Sequence, residues 1–388
     1  MTLIFFANIV ALIFSFFVVG TILGAVFSQP LRKKLSNFFH IHGRSDILLA
    51  RVFHNPVLRP ARHPWEAEAT FNPAAVILKD RTHLLYRAIG IDGVSRLGYA
   101  SSANGIVFDE RLSSPAYVAQ SPRLGFPGHR HYNPVMYASG GSWGGIEDPR
   151  MVRIEGRIYV SFSVFDGWDF IRVGVISISE DDFIAKRFGN WTPATLVSPP
   201  GQIHKNWVLF PEKIHGQFAF IHSITPKIEI AYRDRIEDIG KMEPFIESWT
   251  GPRDARQGRA GFWDNHVRGA GPPPLKTDAG WLLFYHAVDE KDPGRYKLGA
   301  MLLDLQDPTK VLYRSHVPVL SPNARYENVG KPGIVYACGA VIKGDTLYVY
   351  YGGADKVVCV AFANLRAFLR ALMSGEHAIL RSTRLETQ

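Results

Sequence analysis

The segment Gly-Gly-Ile-Glu-Asp-Pro-Arg at residues 144–150 is the sharpest local motif of the chain, and it contains a carboxylate suited to acid catalysis. Asp148 lies directly before a proline and two positions before Arg150. A carboxyl group with a fixed orientation can act as a general acid by giving a proton to a leaving oxygen. The same spacing also fits a structural Asp–Arg pair at the start of a strand, and the spacing alone leaves both interpretations open.

A second set of candidate residues is cationic and distributed along the chain. Its members are Arg87, Lys205, His222 and His286. Side chains of this type bind oxyanions, phosphate above all, through charge-assisted hydrogen bonds. Each of them alone also fits a structural role, so an anion site is expected only if the fold brings them together.

Several other chemistries have no motif in this sequence. No Gly-rich loop followed by Lys-Ser/Thr, no Gly-x-Ser-x-Gly elbow and no His-Glu-x-x-His metal helix occurs. The two cysteines are too few for a disulfide scaffold or a four-cysteine zinc site. The formal charge is +9, yet no dense basic stretch interleaved with aromatic residues occurs. We therefore expect neither a metal, nor a cofactor, nor a nucleic-acid partner.

The elements that must position these residues are short strands. Beyond residue 70, runs of aromatic and β-branched residues alternate with Gly, Asp and Asn turns, which predicts an all-β domain. Five segments repeat a three-strand pattern, and their middle strands align as LLYRA, VSFSV, AFIHS, LFYHA and VYYGG. The equivalent positions in that alignment are Arg87, Ser163, His222, His286 and Gly352. Their intervals match one blade plus insertions, and predict a five-bladed β-propeller.

A second set of equivalent positions in the repeat is occupied by prolines, which precede four of these middle strands. The dipeptides are Asn72-Pro73, Asp148-Pro149, Phe210-Pro211 and Gly271-Pro272. Since proline has no amide hydrogen to give to a ladder and is confined to strand starts or edges, we expect each to mark the entrance to a blade's inner strand. Inner strands of a propeller line its central channel. Asn72, Arg87, Asp148, His222 and His286 are therefore predicted to converge on one axial pocket.

The amino-terminal residues have a different character. No charged residue occurs from Thr2 to Ser28, and a helix of this length exceeds the roughly 30 Å hydrocarbon core of a bilayer. The pattern predicts a retained transmembrane helix that contacts membrane lipid. Arg32, Lys33 and Lys34 follow it, so the positive-inside bias predicts that the remainder of the chain lies in the cytoplasm.

Four segments follow from these patterns. We expect a transmembrane anchor at residues 1–30 and a basic juxtamembrane linker at 31–68. A five-bladed propeller is expected at 69–364, and a short amphipathic helix with a tail at 365–388. Leu365, Phe368, Leu369 and Leu372 recur at helical spacing and predict that this helix packs against the domain.

Eight motifs run from about residue 70 to 362 and read FNPAA, LLYRA, SRLGYASSANGIVF, GGIEDPR, KNWVLFPEKIHGQFAFIH, RGAGPPPLKTDAGWLLFYHAVD, YKLGAMLLDLQDP and VYYGGAD. Together they resemble glycoside hydrolase family 130. The resemblance implies a five-bladed β-propeller acting on β-mannosides with inversion at the anomeric carbon. Most characterised members of the family are phosphorylases, which use inorganic phosphate as co-substrate, and some are hydrolases.

The resemblance also implies roles for individual residues. Asp148 would be the proton donor, acting directly or through a hydroxyl of the sugar. The residues that would bind the mannosyl unit are Asn72, Arg87, Arg150 and Asp304. Those associated with phosphate are Lys205, His222 and His286.

One departure from the family pattern leaves the choice of nucleophile open. Many phosphorylases of the family have His-Arg where this chain has His222-Ser223. Either Arg172 or Arg268 replaces the missing cation, or a carboxylate activates water in a hydrolase. The candidates for that base are Glu147, Glu212, Asp169 and Asp264. A third hypothesis is a membrane-anchored propeller that binds glycans without turnover.

Overall fold

β-Strands dominate the architecture. The computed structural model describes residues 49–119, 131–137, 139–166, 171–236, 258–259 and 261–374. Within these ranges the chain forms twenty strands, β1 to β20, and two short α-helices. Turns with positive-φ residues separate the strands, as at Gly156 between β6 and β7.

The strands form five antiparallel blades in chain order, except that β1 (Ala50–Arg51) belongs to the fifth blade. The first blade contains β2 (Ala69–Leu78), β3 (Arg81–Ile89), β4 (Val94–Ser102) and β5 (Glu110–Arg111). The second contains β6 (Gly144–Ile154), β7 (Arg157–Asp166), β8 (Ile171–Ser179) and β9 (Thr195–Leu196), with α1 (Glu180–Ile184) after β8. A short parallel bridge between β4 and β6 joins these two blades into one sheet.

The remaining strands make three further blades. The third contains β10 (Val208–Leu209), β11 (Phe218–Ser223) and β12 (Glu229–Arg233). The fourth contains β13 (His266–Ala270), β14 (Leu275–Thr277), β15 (Gly280–Asp289), β16 (Asp292–Leu303) and β17 (Val311–Arg314). The fifth contains β18 (Val335–Lys343), β19 (Thr346–Gly353) and β20 (Val357–Asn364), and β1 pairs with β20.

The apolar core is divided among the interfaces between neighbouring blades. One cluster of buried side chains joins blades 1 and 2, for example through Leu85 and Ile158. Others join blades 2 and 3, 3 and 4, and 4 and 5. A further cluster joins blade 5 to blade 1, including Tyr350 and Leu84. Because the last blade packs on the first, the five blades close into a ring, which is the arrangement of a five-bladed propeller.

The middle strands agree with the sequence alignment, but the prolines do not mark strand starts. Arg87, His222 and His286 lie on the middle strands β3, β11 and β15. Pro73 and Pro149 lie inside β2 and β6, at the points where the strand register shifts. A β-bulge leaves a residue outside the ladder, so it tolerates a residue without an amide hydrogen. These prolines therefore mark bulges in two inner strands.

The ends of the propeller differ from the predicted boundaries. Residues 49–68, assigned above to the linker, contact the propeller: β1 pairs with β20, and Leu58 bridges to Val358. At the other end, α2 (Leu365–Met373) buries Phe368, Leu369 and Leu372, as the helical spacing predicts. The predicted anchor, the linker up to residue 48 and the tail from residue 375 lie outside the described residues. None of the helices in the described ranges is long and apolar enough to cross a membrane.

Candidate active site

A polar cavity of about 840 Å³ is lined by four of the residues that the sequence predicted for the site. Its wall is built from several blades and from the loops that precede blades 3 and 5. The charged and aromatic residues that line it are Arg87, Asp148, Lys205, Arg268, Tyr296, Lys331, Tyr336 and Asp355. Asn72 and Asn206 also line it. The cavity therefore brings together Asn72, Arg87, Asp148 and Lys205, four residues that are far apart in the sequence.

Asp148 lies at the bulge of β6, directly before Pro149. Its φ is 52°, in the left-handed region that Asp and Asn tolerate better than most residues. The Oδ1 atom accepts hydrogen bonds from Asn72 Nδ2 at 2.7 Å and from Arg87 Nη1 at 3.3 Å. No hydrogen bond from the described part of the chain reaches Oδ2, so this oxygen is free to meet a ligand in the cavity.

The surrounding cations determine the charge of Asp148. Burial alone would raise the pKa of its carboxyl group, but the Arg87 and Arg150 guanidinium groups hold the pKa below its ordinary value. The hydrogen bond from Asn72 and the charge of Lys205 act in the same direction. Asp148 is therefore a carboxylate in the unliganded protein, and it needs a change in its surroundings before it can donate a proton.

Arg87 fixes this carboxylate. Its side chain is only 3% exposed, and its guanidinium group lies over the Phe71 ring at 4.7 Å from the centroid. Besides Asp148, it donates to Glu147 Oε1 at 2.8 Å and to Ser95 Oγ at 2.8 Å. Through these hydrogen bonds Arg87 orients the carboxylates of Asp148 and Glu147, and it also carries positive charge at the cavity wall.

Glu147 is fully buried behind the cavity, where it holds two of the cations. Its carboxylate accepts from Arg87 and, at 3.2 Å, from Lys205 Nζ. Ser139 Oγ donates to it as well, at 2.7 Å. Glu147 is thus engaged in ion pairs and hydrogen bonds, and it does not line the cavity.

Of the other carboxylates considered as bases, Glu212 and Asp264 do not line the cavity either. Glu212 forms an exposed ion pair with Lys276 at 2.6 Å. Asp264 is buried between Arg259 and Arg314, at 2.9 and 2.8 Å. Asp169 lies outside the described residues. Among the described carboxylates, only Asp148 and Asp355 line the cavity.

Arg150 supports the cavity from behind. It is buried, and it donates to the Asp148 carbonyl oxygen at 2.7 Å and to the Gly271 carbonyl oxygen at 3.0 Å. A third bond, of 2.9 Å, goes to Asn206 Oδ1, which also accepts from Tyr336 OH at 2.7 Å. The mannosyl contact expected of Arg150 is therefore corrected, because its donors hold the backbone and the side chains that form the wall.

The two histidines predicted to bind phosphate lie outside the cavity lining. His286 is buried; its ring stacks on Tyr336 at 3.9 Å, and its Nε2 accepts from the Ala337 amide at 2.9 Å. Burial and the Arg150 charge lower the pKa of His286 to about 3. Burial and nearby His204 lower the pKa of His222 to about 4. Both are neutral near pH 7, so neither provides a cation for phosphate.

Asp304 is also placed away from the cavity. It follows β16, and its Oδ1 accepts from the backbone amides of Gln306 and Asp307, both at 2.8 Å. This is the geometry of an Asx turn, so the mannosyl-binding role expected for Asp304 is corrected to that of a turn residue. The strand-end Asp that does reach the cavity is Asp355, after β19.

Several lining residues were missed by the sequence analysis. Asp355, at the end of the VYYGGAD motif, has φ 51° and forms an ion pair with Lys331 at 3.4 Å. Burial raises the pKa of Asp355 above its ordinary value despite this pair. The quoted motif contained a signal for Asp355, whereas Lys331 lies in an unrepeated loop before blade 5 and carried none.

Comparisons with known proteins agree with this architecture. A glycoside hydrolase family 130 profile, described as β-1,4-mannooligosaccharide phosphorylase, matches residues 45–373. A 1,2-β-oligomannan phosphorylase from a Thermoanaerobacter species is 35% identical over 82% of this chain and 98% of its own length. A β-1,2-mannobiose phosphorylase from the same species is 33% identical over 81% and 96%. The solved β-1,2-mannobiose phosphorylase of Listeria innocua has the same fold, with a TM-score of 0.61 at 24% identity over 84% of this chain and 99% of its own.

Proposed function

Since the chain belongs to glycoside hydrolase family 130, we propose that it is an inverting β-mannoside phosphorylase in which Asp148 is the proton donor. The observation that carries the proposal is the open Oδ2 of a rigidly held carboxylate in a cavity lined by four cations. Those cations suit an anionic co-substrate, and the carboxylate suits a leaving glycosidic oxygen.

The reaction needs one carboxylate from the protein. A phosphate oxygen attacks the anomeric carbon from the face opposite the glycosidic oxygen, and the bond between that carbon and the glycosidic oxygen breaks. The leaving oxygen takes its electron pair and a proton from Asp148, directly or through a sugar hydroxyl. The products are α-mannose 1-phosphate and the shortened sugar. Phosphate is already a nucleophile, so this step requires no general base.

The charge of the cavity links phosphate binding to proton donation. In the unliganded protein, Arg87, Arg150 and Lys205 favour the ionised form of Asp148. A bound phosphate offsets part of that positive charge, and therefore raises the pKa of Asp148 toward the protonated form that phosphorolysis needs. In the synthetic direction the carboxylate form accepts the proton of the acceptor hydroxyl, as microscopic reversibility requires.

Hydrolysis would need a second carboxylate about 6.5–9.5 Å from the acid to activate water. Within the described residues, Asp355 is the other carboxylate in the cavity, and it is paired with Lys331. Burial raises the pKa of Asp355, and the ion pair with Lys331 engages the carboxylate that would have to accept a proton from water. Phosphorolysis is therefore the reaction that this arrangement favours, and Asp355 is the residue to examine if water is used.

We propose a β-1,2-linked mannoside as the first substrate to test. Two relatives matched over most of this chain are named for β-1,2-linked substrates, a 1,2-β-oligomannan phosphorylase and a β-1,2-mannobiose phosphorylase. The family profile is described for β-1,4-mannooligosaccharides, so that linkage is the comparison.

The decisive assay uses the chain from residue 36 with β-1,2- and β-1,4-mannobiose, each with and without inorganic phosphate. Mannose 1-phosphate that appears only with phosphate supports the proposal. Release of mannose at a rate independent of phosphate identifies a hydrolase. Saturable binding of the mannosides without any product favours a glycan-binding propeller.

We also propose that residues 1–30 anchor the protein in a membrane, with the propeller in the cytoplasm. The support is the uncharged run from Thr2 to Ser28 and the three cations Arg32, Lys33 and Lys34. A reporter fused to the carboxyl terminus tests the orientation. Reporter activity confined to the cytoplasm agrees with it, and activity seen only outside the cytoplasm contradicts it.

A further inference from the structure

The four cations of the cavity differ in their partners. Arg87 and Lys205 both pair with Glu147, at 2.8 and 3.2 Å. Lys331 pairs with Asp355 at 3.4 Å. Arg268 is the exception, since no carboxylate in the described part of the chain forms an ion pair with it. A guanidinium group has no neutral form at physiological pH, so Arg268 keeps a positive charge that can attract an anion entering the cavity.

The local backbone brings Arg268 to the cavity wall. The register of β13 shifts between Val267 and Gly269, which makes Arg268 the bulged residue of this inner strand. Its carbonyl oxygen accepts from Asn206 Nδ2 at 2.9 Å. Gly269 has φ +129°, and a Cβ there would lie 2.7 Å from Asn206 Nδ2, so glycine is required beside this contact. The position of Arg268 is thus fixed by its own main chain.

The guanidinium group has an aromatic support and an unused donor. It lies over the Tyr296 ring at 5.5 Å from the centroid. Its Nε is buried, and this atom donates to no acceptor within the described ranges. Buried donors are nearly always satisfied, so this Nε is a donor that a ligand in the cavity can use. A planar guanidinium group suits a tetrahedral oxyanion, to which it can donate two parallel hydrogen bonds.

We propose that Arg268 is a phosphate-binding residue of this enzyme, an inference that rests on the proposed phosphorylase function. The sequence offered Arg172 and Arg268 as the cation that replaces the one missing beside His222, and the structure separates them. Arg172 donates to the Ser198 carbonyl oxygen through Nε at 2.8 Å, and it does not line the cavity. Arg268 lines the cavity and has the unused donor.

The test compares Arg268→Met, Arg268→Lys and the matched control Arg172→Met in the full chain. Methionine keeps an unbranched side chain over Tyr296 but removes the charge. Lysine keeps the charge but removes the planar group that donates two parallel hydrogen bonds. We expect Arg268→Met to raise the KM for phosphate about 10- to 100-fold, the loss typical of a hydrogen bond to a charged group. The KM for mannobiose should change less than twofold. Arg268→Lys should fall between Arg268→Met and the wild type, and Arg172→Met should match the wild type.

Calorimetric titration with inorganic phosphate separates this inference from the proposed function, because it needs no turnover. If the wild-type protein forms no mannose 1-phosphate, the proposed function fails. In that case, phosphate binding that Arg268→Met weakens and Arg172→Met preserves still supports the assignment. Equal phosphate affinity, or an equal KM for phosphate, in the wild type and in a folded Arg268→Met variant overturns it, as does an equal loss in Arg172→Met.

Discussion

Asn72 Nδ2 donates a 2.7 Å hydrogen bond to Asp148 Oδ1, and the two residues occupy equivalent places in neighbouring blades. Each precedes a proline at a bulge of its inner strand, and their φ angles are 46° and 52°. Left-handed backbone at non-glycine residues is typical of sites where geometry serves function, and each costs on the order of 1–3 kcal/mol. The bond between them fixes the carboxylate that we propose as the proton donor.

Replacing the carboxylate tests that role directly. Asp148→Asn should lower kcat for mannose 1-phosphate formation by about 10²- to 10⁴-fold, the usual contribution of a general acid. The fold should persist, because asparagine tolerates positive φ and Arg87 keeps its ion pair with Glu147 at 2.8 Å. Rates measured at saturating phosphate, together with the thermal midpoint, separate chemistry from stability.

Asp304→Asn is the control for this substitution. Asp304 lies in a turn outside the cavity, and the asparagine Oδ1 can still accept from the backbone. The variant should keep wild-type kcat and KM. A near-normal rate in Asp148→Asn would remove Asp148 from the mechanism, and a large loss in Asp304→Asn would show that Asp304 binds sugar after all.

Gly352 controls the position of Asn72 from the fifth blade. A Cβ at Gly352 would lie 2.0 Å from Asn72 Oδ1 and 2.9 Å from Asn72 N, so Gly352→Ala must displace Asn72. Because a shift of about 1 Å in catalytic geometry can cost about 10²-fold, we expect kcat to fall by roughly that factor. Gly294→Ala is the control, since its Cβ would have no neighbour within 4 Å. Wild-type kcat in a folded Gly352→Ala variant would contradict this coupling.

The repeat of strands could be predicted from the sequence, and the bulges could not. Each middle strand is a recognisable run of aromatic and aliphatic residues, so Arg87, His222 and His286 were placed on the correct strands. Proline excludes a regular ladder, but it does not say whether the strand starts there or bulges there. The prediction that Pro73 and Pro149 mark strand starts was therefore wrong, and the pairing of β2 with β3 and of β6 with β7 shows that both lie at bulges.

The sequence predicted only some of the residues that line the cavity, because it shows the strand on which a residue lies but not where its side chain packs. Asn72, Arg87, Asp148 and Lys205 do line one cavity. His286 lies one layer behind it, because the Tyr336 ring stacks between this histidine and the cavity. The position of a residue on an inner or middle strand does not show whether its side chain lines the cavity or packs behind the residues that line it.

The buried His286 should make the fold sensitive to acid. Its pKa is lowered to about 3 by burial and Arg150, whereas an unfolded histidine titrates near 6.5. The unfolded chain therefore binds the proton first, so the stability that neutral His286 contributes is present above about pH 6.5 and declines as the pH falls toward 3. Between pH 7 and pH 5 the free energy of unfolding should drop by about 2 kcal/mol for this group.

Urea unfolding of the wild type and of His286→Gln at pH 7 and pH 5 measures this contribution. The Gln variant should lose less stability across this interval than the wild type. His215→Gln, at an exposed position, should follow the wild type. The same pH dependence in His286→Gln and in the wild type would show that His286 is protonated in the fold.

Arg51 closes the ring, although the sequence analysis assigned it to the linker. Its Nε and Nη2 donate to Glu327 Oε1 and Oε2 at 2.7 and 2.9 Å, and the Glu327 side chain is fully buried. Removing one partner leaves a buried charge without its counterion, so Arg51→Met should cost about 3 kcal/mol of unfolding free energy. Arg153→Met breaks the ion pair between Arg153 and Glu180, in which Arg153 is 53% exposed, and should cost less than about 1 kcal/mol.

Truncation tests the same closure at the level of the chain. A chain that begins at residue 69, the predicted start of the propeller, lacks β1 and the bridge from Leu58 to Val358. It exposes the edge of β20, and unpaired edge strands favour aggregation. A chain that begins at residue 45 keeps both contacts, so it should remain monodisperse at temperatures where the shorter chain aggregates. Equal thermal midpoints and equal solubility of the two chains would show that the propeller closes without its first strand.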